Sequence, residues 1–210
     1  MAINYPLALP SYDELQSVSF TRVPVQATSL NRETRARDVF VHEGDSWRLE
    51  AAVSARTIER ADKWIDWLMK LDGFVGTFLM GDPLRMVSPV PTLGAPVVAG
   101  DGQLGTELVT SGWTPSQALV LKSGQNIQIG TGIEARLYRV VEDVASDASG
   151  IATINLRPRV ALAVMDQAVI RLDNPEGLFR LTSSSLAGWT ESRRRETSGL
   201  RFSAESVHAA

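Results

Sequence analysis

The sequence predicts a mainly β chain. A first sheet region at residues 1–84 and 171–210 packs one α-helix and is interrupted by a small β-barrel or sandwich at residues 85–170. Three observations carry this. One stretch, Arg56 to Leu71, has a clean helical period; the segments on either side alternate with period 2; and after Pro83 a change to Pro- and Gly-rich composition opens a series of short, evenly spaced strand patterns.

From the N-terminus, the first sixteen residues hold Pro6 and Pro10 and no regular pattern, so they read as an extended arm held by some other surface. Ser17 to Arg22 reads as a strand, and Pro24, lacking an N–H donor, marks its edge or end. Asn31 to Asp38 is polar and carries Arg32, Arg35 and Arg37, which read as a solvated loop or as subunit-interface residues. Val39 to His42 and Ser46 to Val53 flank Glu43-Gly44-Asp45 and read as a short hairpin. In its second strand Trp47, Leu49, Ala51 and Val53 alternate with polar or small residues and form one buried face.

The helix comes next. At about 100° per residue, Ile58, Ala61, Trp64, Ile65, Leu68 and Leu71 gather on one side, with Glu59, Asp62, Lys63, Asp66 and Lys70 opposite. Ser54 is the expected N-cap and Gly73 the expected left-handed residue at the end. From Phe74 to Met80 the period returns to 2, up to the Gly81-Asp82-Pro83 turn. Within residues 85–170 strands are expected at Glu107 to Trp113, Ala118 to Lys122, Asn126 to Ile129, Arg136 to Val144 and Ile151 to Leu156, with Pro158 ending the last. The turn cluster Asp173 to Gly177 closes the insertion. Leu178 to Leu181, Gly188 to Glu196 and Leu200 to Val207 return to the first sheet.

Composition bounds the function. The chain has 210 residues with 44% hydrophobic content, enough for a packed core. Its 21 basic and 24 acidic residues give a formal charge of -3, so no strong overall field selects nucleic acid or an anionic membrane. There is no cysteine, hence no disulfide or thiolate metal site, which fits folding in a cytosol. No stretch approaches the ~20 apolar residues of a membrane span, and the start lacks the pattern of an export signal.

The motifs that could carry chemistry stand in the wrong context. Gly100-Asp-Gly102-Gln-Leu-Gly105 spells a dinucleotide fingerprint, but strand-like residues follow where a helix is required. His42 and His208 are far apart and no nucleophile elbow is present, so no catalytic residue, cofactor or metal ligand is assigned. Glu142, Asp143 and Asp147 lack calcium-loop spacing and read as turn residues. In Arg193-Arg194-Arg195 strand alternation puts Arg193 and Arg195 on one face. They are either a contact with acidic groups or passing DNA, or a charged edge guarding against misassembly.

Several segments in succession resemble the distal tail protein family of long-tailed bacteriophages and gene transfer agents. They are Gly44-Asp-Ser-Trp-Arg-Leu-Glu50, the helix end Leu71-Asp-Gly73, the strand Gly76-Thr-Phe-Leu-Met-Gly-Asp-Pro83, Thr110-Ser-Gly-Trp113, Leu121-Lys-Ser-Gly124, Leu137-Tyr-Arg-Val140 and Pro175-Glu-Gly-Leu-Phe-Arg-Leu181. The resemblance implies a tail-tube-like β-sandwich with one helix and an outward-facing inserted β domain. It further implies a homohexameric ring of virion protein, assembled in the host cytoplasm. Tail tube and tail tip or hub proteins would be its partners, with transient DNA contact in the channel. A second reading is a carbohydrate-binding β module with Trp113, Tyr138 or Trp189 as a stacking platform.

Overall fold

The computed structural model describes residues 3–42, 44–54, 57–91, 93–183, 190–191 and 197–207. With 46% of residues in strands and 11% helical, the chain is mainly β. In chain order its elements are β1 (Leu15–Val23), β2 (Gln26–Leu30), β3 (Arg37–Val41), β4 (Ser46–Val53), α1 (Ile58–Leu71), β5 (Thr77–Met80), β6 (Gly94–Val98), β7 (Gln103–Trp113), β8 (Asn126–Ile129), β9 (Arg136–Val140), β10 (Ala152–Val164), β11 (Ile170–Arg171), β12 (Gly177–Leu181), β13 (Thr190–Glu191), β14 (Thr197–Ser198) and β15 (Arg201–Ser206).

Five strands form one sheet in the order β1-β4-β15-β12-β5, all antiparallel. Trp47, Leu49, Ala51 and Val53 of β4 point to the helix side and are buried, as the alternation predicts. The helix answers with Ala61, Trp64, Ile65, Leu68 and Leu71, and also with Trp67, which the predicted stripe leaves out. Ile58, placed in that stripe, is only half-buried. Edge-to-face and stacked rings tie the layers together: Trp67 lies 4.9 Å from Phe78 and 5.5 Å from Phe202, and Trp64 lies 6.1 Å from Phe202. The helix starts at Ile58 after Thr57, so Ser54 is not its cap; Ser54 instead donates its backbone N–H to the Glu14 carbonyl at 2.8 Å. The left-handed turn at the other end falls on Asp72, at φ 48°, and Gly73, at φ 62°. The predicted strand begins late, at Thr77, leaving Phe74 and Val75 exposed.

The N-terminal arm is held by its own chain. Leu7 bridges Phe78 in parallel, its N–H donating to the Thr77 carbonyl and its carbonyl accepting from the Leu79 N–H, so the arm covers the free edge of β5. The buried indoles find their acceptors there. Trp67 Nε1 donates to the Ala8 carbonyl at 2.9 Å and Trp64 Nε1 to Glu14 Oε2 at 2.7 Å. Tyr5 donates its hydroxyl to the Lys70 carbonyl, and Gly76 makes room for its ring: a Cβ there would lie 2.6 Å from Tyr5 Cε1.

A second sheet has the order β11-β8-β9-β10-β7-β6 and curls until its edges meet at the Val97–Val169 bridge, where Val98 donates to the Ala168 carbonyl. Its interior is packed by Leu108, Ile127, Ile129, Val140, Ile154 and Leu156 among others. Several expected boundaries shift. Ala118 to Lys122 is no strand but a single bridge from Leu121 to Val144; β9 stops at Val140; and β7 begins earlier than expected, at Gln103. Pro158 does not end β10. It sits where the register slips between Asn155 and Val160, a place where a missing N–H costs no ladder bond. The Gly100 to Gly105 motif is the turn into β7, so the dinucleotide context is absent. Asp147 caps a turn, accepting from the N–H groups of Ser149 and Ile151.

The two sheets meet at a neck. The chain leaves the first sheet after Met80 and re-enters at Gly177, and those two residues are paired with each other. Gly81 lies so close to Pro175 that a Cβ would come within 2.2 Å of the Pro175 carbonyl oxygen. The Tyr12 hydroxyl spans the neck, donating to Glu176 Oε1 at 2.9 Å and accepting from the Gly81 N–H at 3.0 Å. Further links are Trp47 Nε1 to the Leu137 carbonyl, Leu178 N–H to the Ala135 carbonyl, and Glu176 N–H to Gln128 Oε1.

Two predictions concern this packing. Trp67→Ala removes a buried ring and leaves the Ala8 carbonyl unpaired, so chemical denaturation should show a loss of about 3–5 kcal/mol. Asp62→Ala on the opposite side should stay within ~0.5 kcal/mol. Burial and the charge of Glu176 push the Tyr12 phenol well above its ordinary range, against the opposing Gly81 N–H. The folded state therefore holds this proton after the unfolded chain has lost it, and the associated stability falls as pH rises past about 10. Tyr12→Phe should cost about 1–3 kcal/mol at neutral pH and flatten that alkaline fall in Tm.

Candidate functional site

The segment between β1 and β4 is the part of the described chain whose local structure has no cover of its own. The strands β2 and β3 pair only with each other, from Gln26 opposite Val41 to Leu30 opposite Arg37. The expected pairing of Val39 to His42 with β4 across Glu43-Gly44-Asp45 does not form; β4 lies between β1 and β15 instead. Turn residues alone do not settle which strands they join, and the competing signal lay at Asn31. Its side chain accepts from the N–H groups of Glu33 and Thr34 and, with Arg35 at φ 56°, builds the true hairpin tip.

Every residue from Pro24 to His42 is exposed, including Val25, Leu30, Val39, Phe40 and Val41. Cross-strand register puts Leu30, Val39 and Val41 on one face and Phe40 with Ala27 on the other, so neither face is the polar one. An isolated two-stranded hairpin is marginal in water, and one with bare apolar groups on both faces is a surface shaped for association.

A buried charge pair fixes the root. Asp45 is fully buried and its carboxylate accepts from Arg22 Nη2 at 2.5 Å, Arg22 Nε at 3.0 Å and the Val25 N–H at 3.3 Å. The His42 N–H donates to the Val25 carbonyl beside it. The end of β1, the start of β2 and the start of β4 are thereby held at one point. Sequence reading missed this clamp: Asp45 looked like a turn residue, and only the fold brings Arg22 to it.

Of the predicted interface residues, the structure brings Arg32, Arg35 and Arg37 together at the hairpin tip, exposed and without an ion pair among the described residues. Arg193 and Arg195 lie outside the described residues, between β13 and β14, which pair with each other. Trp113 and Tyr138, proposed as a sugar platform, are buried at 3% and 1% exposure and cannot stack on a ligand; Trp189 lies outside the described residues. The Tyr138 hydroxyl is buried without a hydrogen-bond partner among the described residues, and burial raises its pKa. Among the described residues no group of three or more His, Asp or Glu side chains is placed to hold a metal. Among the described residues no helix is long and apolar enough to cross a membrane. No protein-family model matches the chain, and no curated protein matches it.

Arg22→Ala strands the Asp45 carboxylate in the protein and should cost about 3–5 kcal/mol. Amide exchange should then speed up at the hairpin root before the rest of the five-stranded sheet responds.

Proposed function

We propose that this chain is a structural virion protein. Copies assemble as a homohexameric ring at the distal end of a phage tail, joining the tail tube to the tail tip or hub. The observation that carries the reading is the β2–β3 hairpin: anchored by a buried charge pair, with apolar groups on both faces, and covered by nothing among the described residues of its own chain. The succession of segments that resembles distal tail proteins supplies the identity of the assembly. In this reading residues 1–84 and 171–210 form the ring-building sandwich, and residues 85–170 an outward-facing insertion. The protein is made and assembled in the host cytoplasm and has no catalytic role.

Arg32, Arg35 and Arg37 meet acidic groups of a neighbouring subunit or of the tube protein, and Arg193 and Arg195 face a neighbour or DNA in the channel. The N-terminal arm, held against β5 and α1 of its own chain, is not needed as the inter-subunit tether.

Light scattering of the purified chain over micromolar concentrations, alone and with a tail-tube partner, should show a hexamer. Val39→Asp with Phe40→Asp should give monomers whose Tm is unchanged, because the hairpin adds nothing to the intramolecular core. Monomer under every condition, or unaltered assembly of the double variant, would refute the reading. Arg193→Glu with Arg195→Glu separates the two contacts: lost assembly marks a protein carboxylate opposite, and retained assembly with failed genome delivery marks DNA.

A further inference from the structure

A second feature, independent of the hairpin, lies where the neck meets the closed sheet: a groove of about 330 Å³, at the lower end of the ~300–1,000 Å³ typical of small-ligand sites. The protein as a whole is acidic, yet three of the residues lining this groove are cations and none is an acid. Arg85 is paired with Asp82 at 2.7 Å. Lys122 and Arg139 have no ion pair or side-chain hydrogen bond among the described residues. Arg139 is laid along the groove by Gly124, where a Cβ would come within 3.3 Å of its Nη2.

Directly opposite Arg139 across the β8–β9 ladder stands Asn126. The residue is 6% exposed as a whole and lines the groove, and its amide, which opens into the groove, has no hydrogen-bond partner among the described residues. An amide donor and acceptor that open into the groove beside an unpaired guanidinium form one recognition surface, able to pair with hydroxyl and carboxylate groups of a single ligand. The neighbouring Gln125 is not open: it bridges Ser88 Oγ and the Lys122 N–H and holds the groove floor in place.

We propose that this groove binds a sugar acid. The planar fork of Arg139, helped by Lys122, takes the carboxylate; the Asn126 amide takes ring hydroxyls; and the exposed side chains of Leu84 and Val87 cover the C–H face of the ring. A phosphate is the poorer fit. Phosphate sites lean on free backbone N–H groups, and here those of Lys122, Ser123 and Gly124 are already bonded to Gln125, Asp143 and Val140.

The test is titration of the full chain with glucuronate, glucose and inorganic phosphate, followed by calorimetry and NMR shifts at Asn126 and Gly124. Glucuronate should saturate these shifts while glucose does not. Lys122→Ala with Arg139→Ala should weaken glucuronate at least about tenfold with Tm unchanged. Asn126→Asp, which sets a negative charge against the carboxylate, should abolish binding; if it fails to fold, the Lys122 and Arg139 variant decides alone. Absence of glucuronate binding, equal binding by the folded double variant, or phosphate bound as tightly as glucuronate would each overturn the assignment.

Discussion

Two indole N–H groups set the terms for the first half of the molecule. Burying Trp64 and Trp67 between helix and sheet gains a large apolar area, but each ring carries a donor that must find an acceptor in the same dry layer. Neither the helix nor the sheet provides one. The acceptors are the Glu14 carboxylate and the Ala8 carbonyl, so the helix can dock only when the irregular N-terminal arm has been laid over it. The same placement caps the exposed ladder of β5 with Leu7. One constraint thus explains why an arm with two prolines and no periodicity is an ordered part of the structure.

What the sequence showed and hid follows the same physics. Local periodicity is written in neighbouring residues, and so α1, the buried face of β4, β8 and the return of the chain at β12 were legible. Trp67 was not: it stands roughly 90° from the middle of the helix stripe, and it is buried because Phe78 and Phe202 of the sheet reach its ring while the arm accepts from its indole N–H. Pro158 was misread because a proline's effect depends on whether its N–H position faces a partner, which register decides. The hairpin was half legible. Val39 to Val41 of β3 read as a strand and Gln26 to Leu30 of β2 did not, and the choice of partner is a matter of where β15 lies, some 150 residues further along the chain. The groove lay beyond reach for the same reason, since Asn126 and Arg139 become neighbours only through the β8–β9 register.

Surfaces and core are arranged unequally. The closed six-stranded sheet has no long exposed edge, and its seam with the first sheet is stitched by Trp47, Glu176 and Leu178. Gly177 permits the close approach, since a Cβ there would come within 2.8 Å of Leu137 Cβ. Load applied to one sheet therefore reaches the other through hydrogen bonds and packed side chains. The β2–β3 hairpin stands outside this continuous body, tied to it at the Arg22–Asp45 root.

The neck has a consequence for how such a chain is inherited. Because Met80 and Gly177 are paired, β5 and β12 are in topological terms a hairpin whose turn is the whole of residues 81–176. The first sheet registers only two adjacent ends, so a gene segment coding for the second sheet can be gained, lost or exchanged in one step without altering strand spacing. Tyr12 would serve any loop whose exit offers an acceptor where Glu176 stands. Trp47 would not adapt so readily: its indole donates to the Leu137 carbonyl, and a chain that has shed the insertion must carry a different residue at that position or supply a new acceptor. Position 47 is therefore where relatives with and without the second sheet should differ first.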